Sequence, residues 1–334
     1  MAMHPSRSCF SVLVVVYLLQ CKLFFVHCIL NPLDFLALQS VRKSLDDMPG
    51  SNFFASWDFT SDPCNFAGVY WSPGLIGRLD PAIGKLSALT ELSVVPGRIM
   101  GSLPQSISQL KDLRFLALTG AIPRSIGTIP GLSNVILSHN HISGSIPPFL
   151  SETLTRLELK HNELSGYIFD LLLSRLDRLN YLDLSMNQLS GCIPSRIFTF
   201  PITNLQLQRN SFSGPVQPGG QVTIPTVDLS YNRLSGGISP LFSTVQSLYL
   251  NNNRFTGQIP GSFADRLLDA SIQILYLQHN YLTGMQINPT VEIPLSSSLC
   301  LQYNCMVPPI QTPCPLKAGK EKTRPTGQCN EWRG

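Results

Sequence analysis

Along most of the chain the apolar residues return in a rhythm that fits neither one long strand nor one long helix. In YLDLSMNQLSGCIP (181–194), Leu182 and Leu184 alternate with polar residues, Asn187 interrupts, and Leu189 and Ile193 resume on either side of Gly191. Alternation over so few residues predicts a short strand with Leu182 and Leu184 on one face, and the Asn and Gly that follow predict two turns. The same letters recur. Segments starting at Leu89, Leu113, Leu132, Leu154, Leu179, Ile202, Ile224, Val245 and Ile272 share the template L-x-x-L-x-L-x-x-N-x-L-x-G-x-I-P, at intervals of 24, 19, 22, 25, 23, 22, 21 and 27 residues.

A repeat of this length with one strand in each is the pattern of a leucine-rich repeat solenoid. The expected fold is α/β: a right-handed, curved superhelix with a parallel β-sheet on its concave face and capped ends. Positions four and six point inward along each strand. The ninth position is Asn140, Asn162, Asn187, Asn210, Asn232, Asn253 and Asn280 in seven repeats, a short amide able to satisfy backbone groups where the chain leaves the strand. Gly144, Gly166, Gly191, Gly214, Gly236 and Gly257 permit the next bend. No repeat can bury its own apolar face, so stacking supplies the core.

Composition adds a compartment. Of 334 residues only 13% are charged, about half the usual share, and the formal net charge is +4. Part of the hydrophobicity is local: Arg7 precedes FSVLVVVYLL (10–19), and QCKLFFVHC follows. This reads as a signal peptide, residues 1–28, cleaved after Cys28. An uncleaved N-terminal membrane anchor is the alternative, and Gln20, Lys22 and His27 shorten the run against it. Secretion, to the extracellular space or cell wall, leaves six cysteines in an oxidising compartment. The remaining organisation reads as an N-terminal cap (29–74), repeats (75–295) and a Cys-containing C-terminal cap with a basic tail (296–334).

LSGCIP (189–194) and ISGSIP (142–147) resemble the plant-type extracellular repeat of receptor-like kinase ectodomains, receptor-like proteins and polygalacturonase-inhibiting proteins. The resemblance covers roughly residues 34–314 and extends to the cap, DFLALQSVRKSL followed by SWDFTSDPCNFAGVY. Two departures stand out. Cys64, Phe66, Gly68 and Val69 match the family's cap motif, but Trp71 occupies the place of its second cysteine, which leaves Cys64 unpaired. In LALTGAIP (116–123) the interval shrinks and Ala121 falls on the Asn position, as Gly97 does one repeat earlier. Cys192 lies about four strand spacings or more from the cap, roughly 20 Å, too far for a bridge to Cys64. Two bridges are expected among Cys300, Cys305, Cys314 and Cys329, in one of three connectivities.

Catalytic signatures are absent: there is no phosphate-binding loop, nucleophile elbow, His-Glu-x-x-His or kinase motif. Glu158 and Asp183 occupy the fifth position of adjacent repeats, a carboxylate pair at the spacing of a retaining glycosidase, but an open sheet has no apolar pocket to raise the acid's pKa. His139, His161 and His279 share the eighth position but do not converge as metal ligands would. Lys317, Lys320, Lys322, Arg324 and Arg333 make a basic tail, solvated or in weak contact with anionic polysaccharide. Nucleic acid is excluded by charge and compartment. No cofactor, metal or enzymatic activity is expected.

Function should therefore lie in the outward positions three, five, seven and eight: Arg156, Glu158, Tyr181, Asp183, Gln206, Arg209, Asp228, Tyr231, Tyr249 and Tyr276, with Lys160, Asn204, Ser185, Met186 and Asn251 among them. Tyr and Arg among neutral polar groups resemble an interface. The expected function is a secreted or cell-surface module that recognises a protein or peptide on its concave face, in signalling or defence, with a membrane receptor kinase or a wall enzyme as partner. The alternative is a polygalacturonase-inhibiting regulator of a cell-wall-degrading enzyme.

Overall fold

A computed structural model describes residues 32–47, 53–60, 75–86, 89–93, 98–99, 104–117, 124–139, 142–310, 312, 314–315, 318–319 and 321–330. Residues 1–28, expected to be a signal peptide, and Cys64, Trp71, Gly97, Ala121 and Asn140 lie outside these residues. The chain divides into two compact units, 1–143 with 147–157, and 144–146 with 158–334. Both are built as an α/β leucine-rich repeat solenoid is built, from short parallel strands.

In the first unit, helix Pro32–Ser44 buries Ala37, Leu38 and Val41 and leads into strand Leu45–Asp47. That strand pairs antiparallel with Leu75–Gly77, which pairs in parallel with Arg98–Ile99. Strands Glu91–Ser93, Phe115–Ala117 and Asn134–Ile136 form the parallel repeat ladder. The cap carries its own aromatic cluster: Phe54 and Trp57 meet edge to face at 5.1 Å, and the Arg42 guanidinium lies 4.2 Å from the Phe54 ring centre.

In the second unit, strands Tyr181–Asp183, Asn204–Gln206, Thr226–Asp228, Ser247–Tyr249, Ile274–Tyr276 and Ser298–Cys300 follow one another in a parallel sheet. Their central residues Leu182, Leu205, Val227, Leu248, Leu275 and Leu299 are buried, as the alternation requires. A second parallel ladder runs through Glu163–Gly166, Gln188–Gly191, Ser211–Pro215, Arg233–Gly236, Arg254–Ile259 and Tyr281–Met285. Gly191 shows why this ladder needs glycine. Its φ is +79°, and a β-carbon there would meet the Tyr167 ring at 2.2 Å.

Repeat length is absorbed between the second ladder and the next sheet strand. The 27-residue interval from Val245 holds the eight-residue helix Gly261–Leu268, and the 25-residue interval from Leu154 holds helix Asp170–Leu173. Phe212, Phe242, Phe255 and Phe263 fill the core beneath, fully buried.

The asparagines bind successive repeats together. Asn187 donates to the carbonyls of Leu184 and, one repeat back, Leu159, while its Oδ1 accepts from the N–H of Leu164. Asn210, Asn232, Asn253 and Asn280 repeat this arrangement. So does Asn304, which donates to Leu277 and Leu301 and accepts from Leu282. The strand-and-Asn pattern thus runs beyond residue 295, into the segment expected to be cap. The signal was in the sequence: LCLQYNCM (299–306) places Leu299, Leu301, Asn304 and Met306 at template positions four, six, nine and eleven.

Candidate functional site

Because the strands pair in register, residues at one template position stand side by side, about 4.8 Å apart. Asp183, Gln206, Asp228, Tyr249, Tyr276 and Cys300 are successive partners and form the fifth-position row of the second unit. Tyr181, Asn204, Thr226, Ser247, Ile274 and Ser298 open the same strands. Glu158 precedes Leu159, whose N–H donates to the Asp183 carbonyl at 2.8 Å, so it lies beside the Asp183 strand. Arg156 belongs to the first unit.

Two expectations about outward positions need correction. Asp183 was expected to face a partner, but it is 3% exposed. Its Oδ1 accepts from the Ser185 N–H at 2.9 Å and the Ser185 hydroxyl at 2.6 Å, so the serine two residues on turns the carboxylate back on its own chain. The same lock therefore counts against Asp183 as one of a pair of catalytic carboxylates. Position seven is the second correction: Ser185, Ser230, Asn251 and Gln278 are all buried.

Position eight holds what the sequence reading missed. His139, His161, Met186, Arg209, Tyr231, Asn252, His279 and Tyr303 all have φ between +55° and +60°. A residue with a β-carbon spends roughly 1–2 kcal/mol in this left-handed conformation. In His161, Met186, Arg209, Tyr231, Asn252 and His279 it is held by the residue's N–H, which bonds the position-seven carbonyl of the next repeat, as Met186 bonds Gln208, whereas the Tyr303 N–H bonds the Lys322 carbonyl. The only available cue was adjacency to the ladder Asn. His139 and His161 are two of the histidines weighed as metal ligands. Among the described residues no group of three His, Cys, Asp or Glu is placed to hold a metal ion.

Arg209 and Tyr231, on adjacent turns, stack with the guanidinium 4.3 Å from the ring centre. Tyr249 and Tyr276 meet edge to face at 5.4 Å, and the Tyr276 hydroxyl accepts from Ser298 at 3.3 Å. Burial holds the Asp228 carboxyl above its ordinary value, against the hydrogen bonds from Ser230 and the charge of Arg209. Burial likewise raises the Tyr249 phenol, helped by Tyr276 and Asp228.

The C-terminal tail also departs from expectation. Arg324, expected among the solvated cations, lies 4.0 Å from the Tyr281 ring centre and 4.5 Å from that of Tyr303. Its Nε donates to the Asn280 carbonyl and its Nη1 to Gln328. Lys322 is exposed, and Lys317, Lys320 and Arg333 lie outside the described residues. Among the described residues the bridges are Cys300–Cys314 and Cys305–Cys329, and Cys192 is a free, exposed thiol.

The model of the leucine rich repeat N-terminal domain matches residues 31–70, and that of the Leucine Rich Repeat matches 131–152, 178–200 and 244–265. Receptor-like protein 43 of Arabidopsis thaliana is 35% identical over 150 residues, 43% of this chain and 21% of that one. The chain carries leucine-rich repeats and is similar to plant receptor-like proteins. It spans about a fifth of the length of the curated relatives it matches. Among solved structures, this leucine-rich repeat protein is similar to PEPR1–AtPEP1, with a TM-score of 0.64, 26% identity, and coverage of 82% of this chain and 45% of that one. It is also similar to the Arabidopsis receptor kinase HAESA in complex with the peptide hormone IDA and the co-receptor SERK1, with a TM-score of 0.51, 27% identity, and coverage of 83% and 58%. No helix among the described residues is long and apolar enough to cross a membrane.

Proposed function

We propose that this chain is a non-catalytic, extracellular binding module that recognises a protein or peptide through the strand face of its second unit, in signalling or defence. The observation that carries the reading is the row Gln206, Asp228, Tyr249, Tyr276 with Tyr181 at its side: large amphipathic groups on paired strands whose backbone is already fixed. A rigid platform loses little conformational entropy when a partner docks, and Tyr supplies contact area with few rotatable bonds. The peptide hormone complex of HAESA supports the choice of a peptide or protein ligand. The withdrawn Asp183 carboxylate supports binding over glycan cleavage.

Wild-type protein, Tyr249→Ala, Tyr276→Ala and Glu91→Ala would each be used to capture proteins and peptides from plant extracellular fluid, with quantitative mass spectrometry of what is retained. A true anchor is worth at least about 2 kcal/mol, roughly thirtyfold in affinity. Species captured by wild type should therefore fall steeply with both tyrosine variants and persist with Glu91→Ala, at unchanged melting temperatures. An identical retained set for all four proteins would remove the second unit's face from consideration.

A further inference from the structure

From strand Tyr181–Asp183 to strand Ser298–Cys300, positions three, five and seven carry two carboxylates, Asp183 and Asp228, and no Lys or Arg. Each carboxylate uses one oxygen, Oδ1, to accept from the serine two residues on. Among the described residues nothing donates to the other oxygen of Asp228. The neighbouring amides add to the same imbalance. Gln278, 5% exposed and two residues beyond Tyr276 on the same side of the chain, has a buried Oε1 with no donor. Gln208, beside Ser230, has the same. This stretch has a surplus of acceptors, and buried acceptors left without donors are costly.

Beside Asp228 stand Tyr249 and then Tyr276, as direct strand partners. A carboxylate followed by two aromatic faces spans two strand spacings, about 10 Å. The nearest cation, Arg209, is exposed on the adjoining turn and stacked on Tyr231. We propose that Asp228, Tyr249 and Tyr276 form a subsite for a cationic side chain, guanidinium or ammonium, of a bound peptide. The charged head lies against the unshared oxygen of Asp228, and its aliphatic stem runs over the tyrosine rings. A cation supplies a donor to the unshared oxygen of Asp228, and an aromatic wall holds both its charge and its methylenes. The assignment rests on the peptide-binding reading above and adds to it the chemistry of one ligand residue.

The full chain, immobilised, would be offered two pools of dodecapeptides whose other positions are randomised among neutral residues. One pool carries a single central arginine and the other citrulline, which has nearly the same shape and no charge. Wild type should retain at least tenfold more of the arginine pool. Asp228→Asn keeps an acceptor for Ser230 and should reduce retention of that pool to the citrulline level, with thermal melting confirming the fold. Equal retention of the two pools by wild type overturns the cation subsite alone. Retention of neither pool overturns the peptide-binding reading as well.

Discussion

At the scale of single residues, the ladder asparagines and the left-handed turns before them make opposite demands. Asn280 is fully buried and satisfies the carbonyls of Leu250 and Leu277 and the N–H of Phe255. Asn280→Ala strands all three groups, so it should lower unfolding stability by about 3 kcal/mol or more, read as a lower urea midpoint. One residue earlier in another repeat, Met186→Asn should stabilise by about 1 kcal/mol, since Asn tolerates the left-handed region and Met does not. The two substitutions separate an Asn needed for its side chain from one that would suit the backbone. Asp228 gives a pH dependence of definite sign. Burial raises its folded value, so the folded protein binds the proton more tightly than the unfolded chain. The resulting stability is full below the ordinary carboxylate value and is lost as pH rises through the raised folded one. The melting temperature of Asp228→Asn should therefore gain on wild type as pH rises from the ordinary carboxylate value, about 4, through the raised folded one. An unchanging difference over that range would contradict the assignment.

At the scale of elements, the template letters that were legible are those whose role is local. Leu182 and Leu184 alternate, Gly191 bends, Asn187 satisfies neighbours, and each of these leaves a fixed spacing in the sequence. What stayed hidden depends on a partner elsewhere. Asp183 reads as an outward residue until Ser185 is seen to recapture it. Arg324 reads as a tail cation until Tyr281 and Tyr303 are found against its guanidinium. Asn304 was overlooked because its repeat begins with serines in place of leucine, although the later letters were in place. The Arg324 stack makes its own prediction. Arg324→Ala should expose the C-terminal segment to proteolysis, and Arg324→Lys should fail to rescue it, because an ammonium cannot fill two ring faces and donate as a planar fork. Equal resistance of both variants and wild type would show that the disulfides alone hold the segment.

At the scale of the molecule, the second unit behaves as a linear array, with stability set by each repeat and its neighbours. Reduction of Cys300–Cys314 and Cys305–Cys329 should be felt locally first. Hydrogen exchange under reducing conditions should accelerate at Leu299 and Leu275 while Leu205 stays protected, whereas uniform acceleration would mark a single cooperative block. Only Cys192 should label before reduction among the cysteines of this unit. The asparagine bonds also give the array a direction. Asn187 completes the backbone of the repeat starting at Leu154, Asn210 completes that of Leu179, and Asn304 completes that of Ile272. Each repeat is finished by its successor and owes nothing of this kind to its predecessor. An array built this way can be started anywhere but cannot be stopped anywhere: a cut at its far end leaves open groups that need another asparagine-bearing turn, or a returning segment such as the one whose Lys322 carbonyl takes the Tyr303 N–H, to close them.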